Sequence, residues 1–145
     1  MRPVHEPPTP FATSIAKYFQ NSIREDGLLA RAQSGVIYVQ GNAGTLQEVF
    51  QDAAQNYYRS FEYFSPMVSF DADLQYWQGA PVEGALRRPV KPLLDAVFLS
   101  SKDDQTKQDY GRFVTYVQTE EDAVRFIERH EAERAQARNA LNFRD

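Results

Sequence analysis

The sequence predicts a three-layer α/β fold in which a parallel sheet is flanked by helices. Three short apolar runs, near 36–40, 66–70 and 112–117, are rich in β-branched and aromatic residues, as parallel strands buried on both faces usually are. The segments between these runs have helical apolar spacing, and parallel strands require a crossover connection of that kind. A chain of 145 residues is the size of one domain and can bury a continuous core.

Composition and charge exclude several classes of function. The net charge of −4 argues against a broad nucleic-acid-binding surface, although a single anion can still be held locally. The sequence contains no cysteine, which excludes disulfides and thiolate chemistry. It shows no signal-peptide pattern, and no apolar run approaches the about 18 residues that a membrane span needs. We therefore expect a cytoplasmic protein without a membrane or nucleic-acid partner.

The first part of the chain is predicted to be an arm followed by a helix. Residues 1–10 contain four prolines, which favour an extended arm. Residues 13–32 have helical spacing. The residues expected to form one buried stripe on this helix are Ile15, Phe19 and Ile23.

The connection after the first strand carries most of the functional information. Gly41 and Gly44 supply backbone freedom for a tight turn and let a ligand approach the main chain, and Asn42 tolerates left-handed dihedral angles. Thr45 and Glu48 have the spacing of a capping box, which predicts a helix that begins at Thr45. A glycine turn that leads into a helix directs backbone N–H groups at one point, where a phosphate is favoured. The same pattern also fits an ordinary strand-to-helix connection that binds no ligand.

Polar and aromatic residues follow in the next part of the chain. The aromatic residues from Tyr57 onwards are expected to form core or a subunit interface. Asp71 and Asp73 follow the second strand, at the sheet edge where α/β proteins bind ligands. Two carboxylates make a poor metal site, so we expect a polar turn there and no metal.

The last third of the chain is predicted to contain two helices and one strand. A helical face at 93–100 leads into a polar connector at 101–110, and the third strand follows. Thr119 and Asp122 have capping spacing at the start of the last helix. Residues 131–145 are mostly charged residues and alanine, which predicts a solvated helical tail with balanced charge.

The run Gln40–Glu48 resembles the P-G-G-x-G-T-x-x-E signature of the LONELY GUY (LOG) family of Rossmann-type nucleotide-binding proteins. The residues that match the signature are Gly41, Gly44, Thr45 and Glu48. Gln40 replaces the proline of the signature, and Asn42 replaces its second glycine. The resemblance covers nearly the whole chain, so residues 11–130 are expected to form a partial Rossmann-like nucleotide-binding domain.

The same family carries an arginine on the helix before the signature, and Arg24 agrees with its spacing within about one residue. The resemblance therefore implies that Arg24 belongs to the site. Read from the residues alone, Arg24 is a solvent-facing arginine paired with Glu25 or Asp26.

The resemblance implies hydrolysis of a nucleoside 5′-monophosphate, such as AMP, to the free base and ribose 5-phosphate. Glu48 and Arg24 would be the catalytic residues, and the phosphate-binding residues would be Gly41, Asn42, Gly44 and Thr45. No cofactor or metal is implied.

The family's sheet opens with further strands and an earlier glycine-rich turn, which this sequence lacks. It is therefore expected to correspond to the C-terminal part of a LOG-like protein, and the sheet edge exposed by the absence of those strands favours a homo-oligomer. The alternative function is a nucleotide-binding or assembly module without turnover.

Overall fold

The structure, a computed structural model, describes residues 9–15, 20–61, 63–79, 83–84 and 86–142. The arm expected at 1–10 lies largely outside these residues. Within the described part the chain has five helices and three strands. They are α1 (Asn21–Leu29), β1 (Val36–Tyr38), α2 (Ala43–Tyr57), β2 (Met67–Phe70), α3 (Lys91–Leu99), α4 (Asp104–Phe113), β3 (Val114–Val117) and α5 (Glu120–Asn142).

The three strands form one parallel sheet in the order β1-β2-β3, which confirms the predicted α/β class. Alternate residues of each strand point to opposite faces. One face packs on α2, α3 and α4 through a core that includes Met67, Trp77 and Phe98. The other face packs on α5 through Val68 and Val117. The arrangement is therefore the predicted three-layer one, with a Rossmann-like parallel sheet between helices.

The first helix is shorter than predicted, and its predicted apolar stripe is wrong. Ile15 precedes the helix and is 70% exposed, Ile23 is 53% exposed, and Phe19 lies outside the described residues. The buried positions are instead Glu25 and Leu29, and the Glu25 carboxylate accepts a hydrogen bond of 2.6 Å from Gln47 of α2. The side of α1 that faces the protein is thus the side that carries this polar contact and Leu29, not the predicted stripe.

The prediction of a polar connector at 101–110 is also wrong, because most of this segment forms α4. The helix begins after Asp103, whose carboxylate accepts hydrogen bonds from the amides of Gln105 and Thr106, both at 3.1 Å. An acidic N-cap of this kind stabilises a helix start. The helix then buries Asp109 and Tyr110 against the rest of the protein.

The last helix begins where its capping residues predict. The Thr119 hydroxyl accepts a hydrogen bond of 3.1 Å from the amide of Asp122, and α5 starts at the next residue, Glu120. His130 is buried on this helix, and its ring nitrogens face the carbonyl oxygens of Phe126 at 2.8 Å and Arg112 at 3.1 Å. The imidazole therefore joins α5 to the junction of α4 and β3.

The C-terminus of α2 ends in a Schellman turn at Arg59. The amide of Ser60 donates to the carbonyl of Gln55 at 2.9 Å, and the amide of Arg59 donates to that of Asn56 at 3.2 Å. Arg59 has a φ of 51°, a left-handed conformation that favours glycine. Its guanidinium compensates by pairing with the carboxylate of Asp109 at 2.7 Å, which ties α2 to α4.

Arg59→Ala is expected to lower the free energy of unfolding by roughly 1–3 kcal/mol, because the buried carboxylate of Asp109 loses its charged partner. Arg59→Gly loses the same ion pair but suits the left-handed backbone, so its loss should be smaller by about 1 kcal/mol. Urea unfolding of the two variants measures the difference. Equal stabilities would show that the backbone at this position is not strained.

Candidate functional site

The candidate site lies where β1 passes into α2, at the carboxyl edge of the parallel sheet. Open α/β sheets bind ligands at this edge. The helix begins at Ala43 with Asn42 as its N-cap, so the predicted start at Thr45 is wrong by two residues. The main-chain path of a strand followed by a helix N-terminus is nevertheless the predicted one.

The predicted capping box does not form. Thr45 is the third residue of α2, and its side chain lies against Gly41 instead of capping the helix. Asn42 makes no capping hydrogen bond through its side chain. In the part of the chain that the structure describes, the first amides of α2 are therefore not capped from the N-cap position, and the partial positive charge of the helix dipole is directed outwards there.

Gly41 is needed here for close packing. A Cβ atom at Gly41 would lie 2.8 Å from the Cβ atom of Thr45, which is closer than carbon atoms approach. The phenol of Tyr76 is hydrogen-bonded to the same residue. It accepts a hydrogen bond from the Gly41 amide at 3.1 Å and donates one to the Gly41 carbonyl. Both polar backbone groups of Gly41 are thus already paired within the protein.

Tyr76 is held in place by Asp71. The completely buried carboxylate of Asp71 accepts hydrogen bonds from the amide of Tyr76 at 3.2 Å and from that of Trp77 at 3.0 Å. Asp73 is exposed and accepts from the amide of Gln75 at 3.1 Å. The two aspartates therefore form the predicted polar turn, and the described residues contain no cluster of three or more metal-ligating side chains.

Glu48 lies half-buried on α2, one helical turn before the buried Asp52. The carboxylate of Asp52 accepts a hydrogen bond of 2.7 Å from the phenol of Tyr38 at the end of β1. Burial and the charges of Asp52 and Glu48 raise the pKa of Tyr38, so its phenol stays protonated and donates. An acidic cluster thus lies beside the first turns of α2, and it consists of Glu48, Asp52 and Tyr38.

Burial raises the pKa of Asp52 to about 6, although the hydrogen bond from Tyr38 works in the opposite direction. Asp52 was not predicted as a site residue. Its position four residues after Glu48 places both on one face of a helix, and this spacing is the signal that would have identified it. Tyr76 was also missed, and no local pattern in the sequence indicates it.

Arg24 is exposed on α1 and takes part in none of the ion pairs found among the described residues. Its neighbours fasten α1 to α2. Glu25 accepts from Gln47, and Asp26 accepts from Gln55 at 2.7 Å. The fold therefore brings the helix of Arg24 beside the helix of Glu48, but the Arg24 side chain itself faces solvent.

Compared with known proteins, the chain matches no family model, no curated protein and no solved structure. The likeness to the LOG family accordingly depends on the signature residues themselves. Among the described helices, none is long and apolar enough to cross a membrane.

The pH dependence of stability should report the buried carboxylate of Asp52. The raised pKa means that the folded protein holds this proton more tightly than the unfolded chain does, so stability falls as the pH rises from about 4 through about 6. The expected loss is about 3 kcal/mol, since each pKa unit corresponds to about 1.4 kcal/mol. Asp52→Asn cannot ionise and should remove this slope in urea unfolding at several pH values. Asp73→Asn, at an exposed position, should keep it; a slope that survives Asp52→Asn would contradict the assignment.

Proposed function

We propose that this protein hydrolyses the N-glycosidic bond of nucleoside 5′-monophosphates, releasing the free base and ribose 5-phosphate. The observation that carries the proposal is the start of α2. The N-cap residue Asn42, whose side chain makes no capping hydrogen bond, follows a parallel strand at the edge of the sheet where α/β proteins bind ligands. The segment from Gly41 to Glu48 also has the LOG-like signature. We also propose that the protein is cytoplasmic, because nucleoside monophosphates occur in the cytoplasm. It needs no cofactor and no metal.

The phosphate is proposed to lie against the first turn of α2. Backbone amides at a helix start, together with the helix dipole, favour an anion there. Because the amide of Gly41 is paired with Tyr76, the donors available without rearrangement are those from Asn42 to Thr45. Arg24 extends from the adjacent α1 and supplies a mobile positive charge for the phosphate or the base.

Glu48 is proposed to act on the ribose. As the bond between C1′ and the base nitrogen breaks, its electron pair goes to the base and positive charge develops on the sugar. A carboxylate beside the sugar stabilises that charge and takes a proton from the attacking water, whose oxygen forms the new bond to C1′. Glu48 is half-buried and one turn into α2, which supports this role.

Glu48→Gln is the main test of the catalytic assignment. Glutamine keeps the shape of the side chain but removes its negative charge, so AMP should bind with near-normal affinity while adenine release falls at least 100-fold. Binding is measured by calorimetry, and adenine is measured by chromatography. Glu128→Gln, at an exposed position on α5, is the matched control and should keep full activity.

Arg24→Ala should also lose activity, with little change in melting temperature, since its side chain is exposed. A fully active Glu48→Gln variant would show that Glu48 has no catalytic role. If the unchanged protein neither binds AMP at millimolar concentration nor releases adenine, the proposed function is wrong.

The second candidate is a nucleotide-binding or assembly module without turnover. The observation that favours it is the hydrogen bonding of the Tyr76 phenol to Gly41. The Gly41 amide, the first of the signature, is thereby already paired within the protein and is not available to a phosphate. Asn42 in place of glycine points in the same direction. In this case AMP binds and no adenine appears.

Tyr76→Phe tests whether the phosphate uses the amide of Gly41. Removing the phenol oxygen frees this amide, so the affinity for AMP should rise several-fold in calorimetry. Tyr110→Phe removes another buried phenol, which donates a hydrogen bond of 2.7 Å to Asp95 of α3 and has no contact with Gly41 through its oxygen. This variant should leave the affinity unchanged. Unchanged or weaker binding by Tyr76→Phe would show that Gly41 is not a phosphate ligand.

A further inference from the structure

A cavity of about 320 Å³ lies at the amino ends of the three strands, the opposite edge of the sheet from the start of α2. Ser34, Pro66 and Phe113, which come shortly before β1, β2 and β3, line it, and α5 closes one side. Small-ligand sites have volumes of about 300–1,000 Å³, and this cavity is at the lower end of that range. It therefore has room for a ligand the size of an amino acid, at a place separate from the candidate site.

Aromatic side chains form part of the cavity wall. Tyr63, Phe64 and Phe113 all line it. The rings of Phe64 and Phe113 stack on each other with their centroids 5.6 Å apart, which gives the wall a fixed apolar surface. Aromatic walls of this kind favour a ligand that carries an apolar ring of its own.

Two opposite charges line the same cavity without pairing with each other. Glu131 and Arg134 lie three residues apart on α5, where side chains are neighbours. The Glu131 carboxylate accepts a hydrogen bond of 3.2 Å from the Ser34 hydroxyl. The Arg134 guanidinium donates to the backbone and side-chain oxygens of Gln33, at 2.8 and 2.6 Å. Neither charge forms an ion pair in the part of the chain that the structure describes, so the segment before β1 holds both in place and neutralises neither.

The second arginine of the cavity is already neutralised, and Arg134 is not. Arg112 pairs with the carboxylate of Glu133 at 2.6 Å. Arg134 instead lies over the ring of Tyr63, 4.6 Å from its centroid. Its hydrogen bonds to the segment before β1 use two of the five N–H groups of a guanidinium. Three N–H groups of Arg134 therefore remain for a negatively charged ligand group.

We propose that this cavity binds a free α-amino acid with an aromatic side chain, such as L-phenylalanine. An amino acid carries a carboxylate and an ammonium group on one carbon atom, which matches the neighbouring charges of Arg134 and Glu131. The ligand carboxylate binds the N–H groups of Arg134, the ammonium group donates to Glu131, and the ring packs on the aromatic wall. A simple anion would be repelled by Glu131 and a simple cation by Arg134, so the pair of charges selects a zwitterion.

Modified ligands test the two charge contacts on the unchanged protein by calorimetry. N-acetyl-L-phenylalanine has no ammonium group, and L-phenylalaninamide has no carboxylate. Each should bind roughly ten-fold more weakly than L-phenylalanine, because each loses one charged hydrogen bond. L-alanine should also bind more weakly, since it leaves the aromatic wall uncovered.

Two variants test which residue meets which charge. Glu131→Gln should bind L-phenylalanine roughly ten-fold more weakly and should no longer distinguish it from the N-acetyl form. Arg134→Gln should lose affinity to a similar extent and should no longer distinguish L-phenylalanine from the amide. Glu128→Gln and Arg125→Gln, at exposed positions of α5 outside the cavity, are the matched controls and should keep normal affinity.

The absence of L-phenylalanine binding at millimolar concentration would overturn the proposal. Equal affinity for the three phenylalanine ligands, or unchanged affinity in Glu131→Gln and Arg134→Gln, would overturn it as well. If a variant fails to fold, as shown by circular dichroism, the three ligands on the unchanged protein still decide. None of these measurements involves AMP, so their outcome is independent of the proposed hydrolysis.

Discussion

The carboxylate of Asp71 is completely buried at the end of β2, and both of its oxygens accept hydrogen bonds from consecutive amides. A buried carboxylate is tolerated only when such donors replace water. Because these amides are held, the ring of Trp77 enters the core and donates to the carbonyl of Phe70 at 3.0 Å, and the phenol of Tyr76 reaches Gly41. One side chain therefore determines both the filling of the core beside the sheet and the conformation of the segment that leads into α2.

A second set of buried polar groups fixes α2 against the sheet. Tyr38 donates to Asp52, and the amide side chain of Asn56 pairs with both backbone groups of Ser65, at 2.7 and 3.1 Å. The Ser65 hydroxyl in turn donates to the carbonyl of Ala32 at 3.1 Å. Sliding α2 along the sheet would leave several of these groups buried and unpaired, which is costly in a low-dielectric interior. The helix start is thus held at the carboxyl edge by hydrogen bonds as well as by apolar packing.

The candidate site shows which of its parts a sequence can indicate. Gly41 to Glu48 were recognisable because a glycine turn and a helix start depend on neighbouring residues. Asp52 was recognisable in principle from its spacing to Glu48. Tyr76 was not, because its contact with Gly41 joins residues 35 positions apart and no local preference encodes it.

The sequence by itself determined the three parallel strands and the start of α5 directly after Thr119, since apolar runs and capping residues act over a few positions. Only the tertiary structure decided that α1 buries Glu25 and exposes Ile23, and that α2 starts at Ala43. The reason is physical: which side of an element is buried depends on the partners that the fold brings to it, such as Gln47 for Glu25, and these partners are distant in the chain.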